Sequence, residues 1–223
     1  MNLPALTFSY SFISQDDNCP EAARHLYVLR DYKKAWDTRG GGIDAHKELE
    51  RRFKTKQPLP AELAGAEAFC QTLERDGQPI EVEVSLAVTQ HITPTTFFHP
   101  TAWLRGKFDV LKRDRTKRKA FLCDWKTGRS DYEKDDQLAL GADLIFESDP
   151  DIDTVTAAYI WLKEHKIGQP YTFTRASKSS RWAPRVKRLR DIEARDPRVE
   201  WEKKQSPLCR YCPVKTCENY QGG

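Results

Sequence analysis

Residues 79–127 constrain the fold more than any other part of the chain. "PIEVEVSLAV" (79–88), "AWLRGKFDVLK" (102–112) and "KAFLCDWKT" (119–127) read as three strands, the first with clear alternation of polar and apolar residues. The second and third are separated only by a short, polar, basic stretch, which predicts a hairpin. A turn centred between Thr116 and Lys117 pairs residues whose numbers sum to 233, so Asp109 falls opposite Asp124. Directly paired side chains have Cβ atoms about 4.5–5.5 Å apart. Two carboxylates at that spacing repel unless a cation lies between them, and Mg²⁺ or Mn²⁺ with its preference for oxygen ligands fits that role. Period-two alternation puts Lys126 on the face of Asp124 and Cys123 on the opposite one. A surface ladder of Asp109, Asp124 and Lys126 is the plainer alternative, and such exposed pairs contribute only about 0–1 kcal/mol. The apolar neighbours Phe121, Leu122 and Trp125, and Gly106 with its room for close backbone approach, argue for a site instead.

Helical patterns flank this centre. One covers 20–36, with Pro20 in its first turn. "GGG" at 40–42 interrupts, and "IDAHKELERRF" then places Ile43, His46, Leu49 and Phe53 on one helical face. His46 is either a core histidine or an imidazole aimed at the carboxylates. A further helix opens at Pro60 and runs to residue 75. After the hairpin come a helix at 131–147, a strand at 154–164, a short strand at 169–175 and a long basic helix at 178–195. Gln137 shares a helical face with Leu140, Gly141 and Leu144. Glu83 alternates with Val82 and Val84, facing either solvent or the edge of the carboxylate site, and Glu81 shares its face. The order predicts an α/β domain around a mixed sheet with antiparallel neighbours in the middle. A single domain, 1–223, is expected: a helical part (1–76), a sheet core (77–176), and a basic helix with a cysteine-rich tail (177–223).

The chain has 223 residues, 39% of them hydrophobic and 11% aromatic, which suits a folded core rather than disorder. No apolar run reaches membrane-spanning length, and the N-terminus lacks a secretion-signal pattern, so a soluble cytoplasmic protein is expected (in the host cytoplasm if phage-encoded). The net charge is only +4, but two stretches, 112–119 and 175–198, concentrate basic residues that either face solvent or meet phosphates. Of six cysteines, Cys209, Cys212 and Cys217 form a C-x2-C-x4-C run. In an intracellular chain such clustering indicates metal before disulfide. Four thiolates suit zinc or an iron–sulfur cluster; Cys70 and Cys123 read as core residues, with Cys70 also a possible fourth ligand.

Taken in order, "GGGIDAH" ending in His46, "GKFD" ending in Asp109, "DWK" from Asp124 to Lys126 and "QLALGA" from Gln137 resemble the PD-(D/E)XK nuclease superfamily in its RecB-like branch. The N-terminal "FSYSFISQDDNCPEAARHLYV" is similar to that family's opening segment, so the resemblance spans Ser9 to Cys217. It implies a restriction-endonuclease-like core and a metal-dependent DNA nuclease, most simply an exonuclease of recombination, repair or phage replication. A CRISPR adaptation nuclease, a non-catalytic DNA-binding module and a zinc-stapled interaction domain are the alternatives. By the resemblance, His46, Asp109 and Asp124, with the Trp125 carbonyl, hold Mg²⁺ or Mn²⁺, Lys126 stabilises charge, and Gln137 positions substrate or solvent. It also implies a [4Fe-4S] cluster on Cys19, Cys209, Cys212 and Cys217, with Zn²⁺ as the alternative. The implied partner is DNA, as single strands or duplex ends, with room for a protein partner. Two departures stand out: Gly141 occupies the position where the family often has Tyr, and the late cysteine spacing is one residue shorter than usual.

Overall fold

The computed structural model describes residues 6–32 and 44–222. Residues 33–36 of the expected first helix, the 40–42 glycines and Ile43 lie outside them. The chain divides into two compact units, one of residues 1–42 with 185–223, the other of residues 43–184.

In the first unit, α1 (Tyr10–Asn18) is capped by the Ser9 hydroxyl, which accepts from the Phe12 N–H. Helix α2 (Pro20–Ala23) continues into a wider π-type turn over Arg24–Leu29 and ends at left-handed Arg30. The expected helix from residue 20 thus ends at Leu29 among the described residues. Buried Asp16 receives Arg188 and Arg195, and buried Glu21 receives Arg24 and the Trp201 N–H. Burying these carboxylates is tolerable because each is paired and hydrogen-bonded.

The second unit opens with α3 (Ala45–Thr55), whose Asp44 side chain accepts from the Lys47 N–H. A 3₁₀ turn over Ala61–Ala66 leads into α4 (Glu67–Glu74). Strands β1 (Ile80–Val88), β2 (Pro94–Thr95), β3 (Leu104–Asp114) and β4 (Lys119–Lys126) follow. Helix α5 (Asp136–Ser148), β5 (Thr154–Trp161), β6 (Lys166–Ile167) and β7 (Tyr171–Thr174) complete the sheet. Its order is β2-β1-β3-β4-β5-β6, with β7 also on β5. All pairings are antiparallel except β4 with β5, which α5 connects as a crossover. Helix α6 (Lys178–Glu193) carries Pro184, and the division between the units falls there.

One face of the sheet packs on α3 and α4 through Val110, Cys123, Trp125 and Ile160 against Leu49, Phe53 and Cys70. The other carries Phe108 and Leu122, which lie against Gly141 of α5. A Cβ at Gly141 would come within 2.5 Å of Leu122 and 2.8 Å of Phe108. A larger side chain there would require Leu122 and Phe108 to shift.

The basic stretches are occupied internally. Lys112 bonds Asp76, Arg113 bonds Glu81, Arg115 bonds Asp149, Lys117 bonds Asp114 and Arg118 bonds Asp153. Arg175 closes the C-terminal end of α5, donating to the carbonyls of Phe146, Asp149 and Ile152. Arg181 binds fully buried Asp143, and Lys178 binds Glu147. These cations brace the sheet and its helices, so their clustering in sequence does not translate into a free cationic surface.

Candidate active site

The hairpin register is the one expected: Val110 pairs with Cys123 and Asp114 with Lys119, each pair summing to 233. The ladder stops one rung short of Asp109 and Asp124. There the Trp125 N–H turns to the Asp109 carboxylate, at 2.7 Å. The facing strand is irregular at the same level. Pairing of β1 with β3 breaks between Val82–Val110 and Val84–Phe108, leaving out Glu83 opposite Asp109, and Glu83 has a left-handed backbone with φ of 56°. A left-handed Glu inside a strand is strained. Phe108 packs toward α5 while Val110 packs toward α3, so β3 changes face at Asp109. In a regular strand these two residues would share a face.

Three residues close a hydrogen-bonded ring on the α5 side. The Lys126 ammonium donates to Gln137 Oε1 at 2.8 Å, and Gln137 Nε2 donates to Asp124 Oδ1 at 2.9 Å. Asp124 Oδ2 lies 2.6 Å from the Lys126 nitrogen but is buried without an aligned hydrogen bond. Gln137 thus projects from the first turn of α5 to the hairpin. On the other side, His46 Nε2 lies 3.2 Å from the Trp125 carbonyl oxygen and 3.8 Å from Asp109 Oδ2. The apolar seam of α3 runs through Ala45, Leu49 and Phe53, and His46 sits half-buried beside it rather than inside it.

Burial raises the pKa of Asp109, and the nearby Asp124 and Glu83 carboxylates raise it further against the pull of His46 and the Trp125 N–H. Burial likewise raises Asp124, which Lys126 and His46 partly offset and Glu83 reinforces. A pair of carboxylates held unfavourably in this way is what a hard cation relieves. The donor set of two buried carboxylates, an imidazole and a carbonyl therefore suits Mg²⁺ or Mn²⁺ in type. As placed, however, Asp124 is turned onto Lys126 and Gln137, and among the described residues no three His, Cys, Asp or Glu side chains converge on one ion position.

Two further residues belong to this site. Glu83 is half-buried, pairs with Lys107 and faces the carboxylates closely enough to raise both. Tyr159 on β5 is paired with Asp124 in register and puts its ring 5.0 Å from the Lys126 nitrogen. An aromatic ring thus reaches Lys126 from β5 although α5 has Gly141. Parallel pairing of β4 with β5 joins residues 35 apart in the chain, which leaves no local sequence signal for it. Cys123 lies on the α3 face with its thiol pushed up by burial, away from the chemistry.

In the first unit Cys19, Cys209, Cys212 and Cys217 are free thiols, none fully buried. Burial raises the Cys212 thiol, and among the described residues no three of these cysteines converge on one ion position.

The sequence model of the PD-(D/E)XK nuclease superfamily matches residues 7–217. The mixed sheet flanked by helices is the restriction-endonuclease-like α/β arrangement, and the chain belongs to the PD-(D/E)XK nuclease superfamily. Nuclease hydrolase activity, with DNA as substrate and a divalent metal in support, is what membership implies. No curated protein matches the chain. Among solved structures it is similar to the crystal structure of SSO0001, at 16% identity over 96% of this chain and 87% of that one, with a TM-score of 0.42. A likeness of that degree carries no argument about function. Among the described residues, no helix is long and apolar enough to cross a membrane.

Proposed function

We propose that this chain is a Mg²⁺- or Mn²⁺-dependent deoxyribonuclease of the RecB-like branch that degrades DNA from its ends. The observation that carries the reading is the ring of Asp124, Lys126 and Gln137 beside buried Asp109 and half-buried His46. Asp109, Asp124, His46 and the Trp125 carbonyl are the groups that would hold the metal. When bound, the metal supplies a Lewis acid for the phosphodiester and an activated water at neutral pH. Lys126, held by the Gln137 amide oxygen and partly exposed, presents its ammonium to a phosphoryl oxygen, where it stabilises charge developing in the transition state. Gln137 orients both Asp124 and Lys126, because its amide bonds one with each end. The Trp125 N–H fixes the Asp109 carboxylate.

The test uses end-labelled single- and double-stranded DNA with Mg²⁺, Mn²⁺ or chelator, beside Lys126→Ala. Mononucleotides released progressively from one end, only with metal and only by the parent protein, support the reading. Internal cuts would replace it with an endonuclease, and cleavage unaffected by chelator would overturn the metal assignment.

Cys19, Cys209, Cys212 and Cys217 are, in this reading, the ligands of a [4Fe-4S] cluster. The C-x2-C-x4-C spacing of the last three and the resemblance of the opening segment that carries Cys19 support it. Anaerobically purified protein would be brown with about four irons per chain, and Cys19→Ser would lose both colour and iron. Zinc in place of iron would identify a zinc clasp.

A further inference from the structure

Phe98 is 87% exposed, more than any other large hydrophobic residue described. It does not sit on a slack loop. The connection from β1 to β3 is pinned by Thr89 N–H to Thr93 O, His99 N–H to Thr96 O, Ala102 N–H to His99 O and Trp103 N–H to Val88 O. The two residues of β2 add pairing with Ala87 and Val88. Trp103 anchors the base of the loop in the core. Phe97 meets Phe98 edge-on, with centroids 5.0 Å apart and planes at 82°.

The neighbouring cation is also unusual. The Arg105 guanidinium lies over the Phe97 ring at 4.8 Å, and among the described residues no carboxylate pairs with it. Most arginines in this unit are locked to carboxylates, so Arg105 keeps a charge to offer. Arg105, Lys107 and Asp109 alternate along β3, while the intervening Gly106 and Phe108 pack together toward α5. Four residues of strand span about 13 Å. A line therefore leads from the carboxylates past Lys107 and Arg105 to the two rings.

An exposed, rigidly held ring beside an unpaired guanidinium has the two elements that bind a DNA single strand: a face on which a base stacks and a charge for the backbone. We propose that Phe98 is the stacking platform for an unpaired nucleobase of the strand whose phosphate lies at the Asp109–Asp124 site, with Arg105 contacting the backbone between them. This rests on the nuclease reading above for the position of the phosphate, and it assigns the single-stranded end as the preferred substrate.

Binding is measured by fluorescence anisotropy on the non-cleaving Asp124→Asn protein, with labelled oligothymidylate and with a blunt hairpin duplex. Phe98→Ala should weaken oligothymidylate binding about tenfold, the effect of one lost base–aromatic stack, and leave the duplex unaffected. Phe98→Trp should bind like the parent, and Phe98→Leu like Phe98→Ala, because stacking needs a π-face. Arg105→Gln should lower the log–log salt dependence by about 0.7, one single-strand phosphate contact. Unchanged oligothymidylate binding by Phe98→Ala, an equal loss on the duplex, or full affinity in Phe98→Leu would each overturn the platform. So would a change of oligomeric state in Phe98→Ala without a DNA effect, which would make the ring a contact between copies. Cleavage by the unmodified protein is scored separately. If it cuts nothing yet binds oligothymidylate through Phe98, the nuclease reading fails and the platform stands.

Discussion

At the scale of single residues, the site is organised by what each side chain is prevented from doing. Lys126 has an amide oxygen on one side, a buried carboxylate on the other and the Tyr159 ring beneath, so its ammonium is presented in one place. Lys126→Ala should reduce cleavage about 10²–10³-fold, the usual effect of losing one oriented charge-stabilising donor, with an unchanged circular dichroism spectrum. Gln137→Glu is a sharper probe. It would put a third carboxylate against Asp124 in place of the amide N–H, and we expect a rise in the metal concentration needed for half-maximal cleavage or loss of cleavage altogether. Gly141 carries a different kind of constraint. Gly141→Ala forces its methyl into Leu122 and Phe108 and should lower stability by about 1–3 kcal/mol in denaturant unfolding.

At the scale of elements, Arg52 is the cation that joins α3 to α4. Its side chain is buried and bonds Glu67 and Glu74 at 2.6–3.2 Å. The Arg52 hydrogen bond holds Glu67 below its ordinary value of 4.5. Burial alone would raise Glu74, but Lys56 and Arg52 outweigh it and hold it low as well. Carboxylates depressed in the folded state contribute stability that is fully present above their unfolded values and is lost as the pH falls through the lower folded ones. Unfolding free energy should therefore drop below about pH 4.5, and Arg52→Met should flatten that drop. At neutral pH the same substitution should cost about 3 kcal/mol, because Glu67 and Glu74 both lose Arg52 and only Glu74 keeps a second cation, Lys56. Urea unfolding at pH 7 and pH 4 checks both. Because α3 carries His46, some loss of metal affinity should accompany it.

At the scale of the whole molecule, many charges are paired within the chain. The turn after β3 looks cationic in sequence but is neutralised by Asp76, Glu81, Asp114, Asp149 and Asp153. Arg115→Gln should accordingly leave the salt dependence of DNA binding unchanged, whereas a phosphate-contacting cation would reduce its slope by about 0.7–0.9. Titration of Kd against salt concentration separates the two. Chelation should abolish cleavage without unfolding the chain, since Asp109 and Asp124 keep the Trp125 N–H and the Gln137 amide as protein partners.

Much of this was legible in the sequence because it is set by local periodicity. Strands β1, β3 and β4, the hairpin register, and helices α3, α5 and α6 all follow from alternation and helical spacing, with ends shifted by a few residues. So does the placement of Cys123 on the α3 side of the sheet, away from Lys126 and Gln137. The two-residue strands β2 and β6 are too short to carry a pattern, and the early end of the first helix depends on the left-handed turn at Arg30. Alternation assigned Glu81 and Glu83 to one face, but left-handed Glu83 breaks that regularity where β3 turns over at Asp109.

What only the tertiary structure decided is which charges remain available and which aromatic rings meet the site. A run of arginines and lysines has the same composition whether it faces DNA or a set of carboxylates 30 residues away, and long-range ion pairing settled that question here for the 112–118 turn. Tyr159 reaches Lys126, and Phe98 stands exposed, because parallel pairing of β4 with β5 and the pinned loop before β3 place them there. Contacts of that kind join residues far apart in the chain, and no short-range period records them.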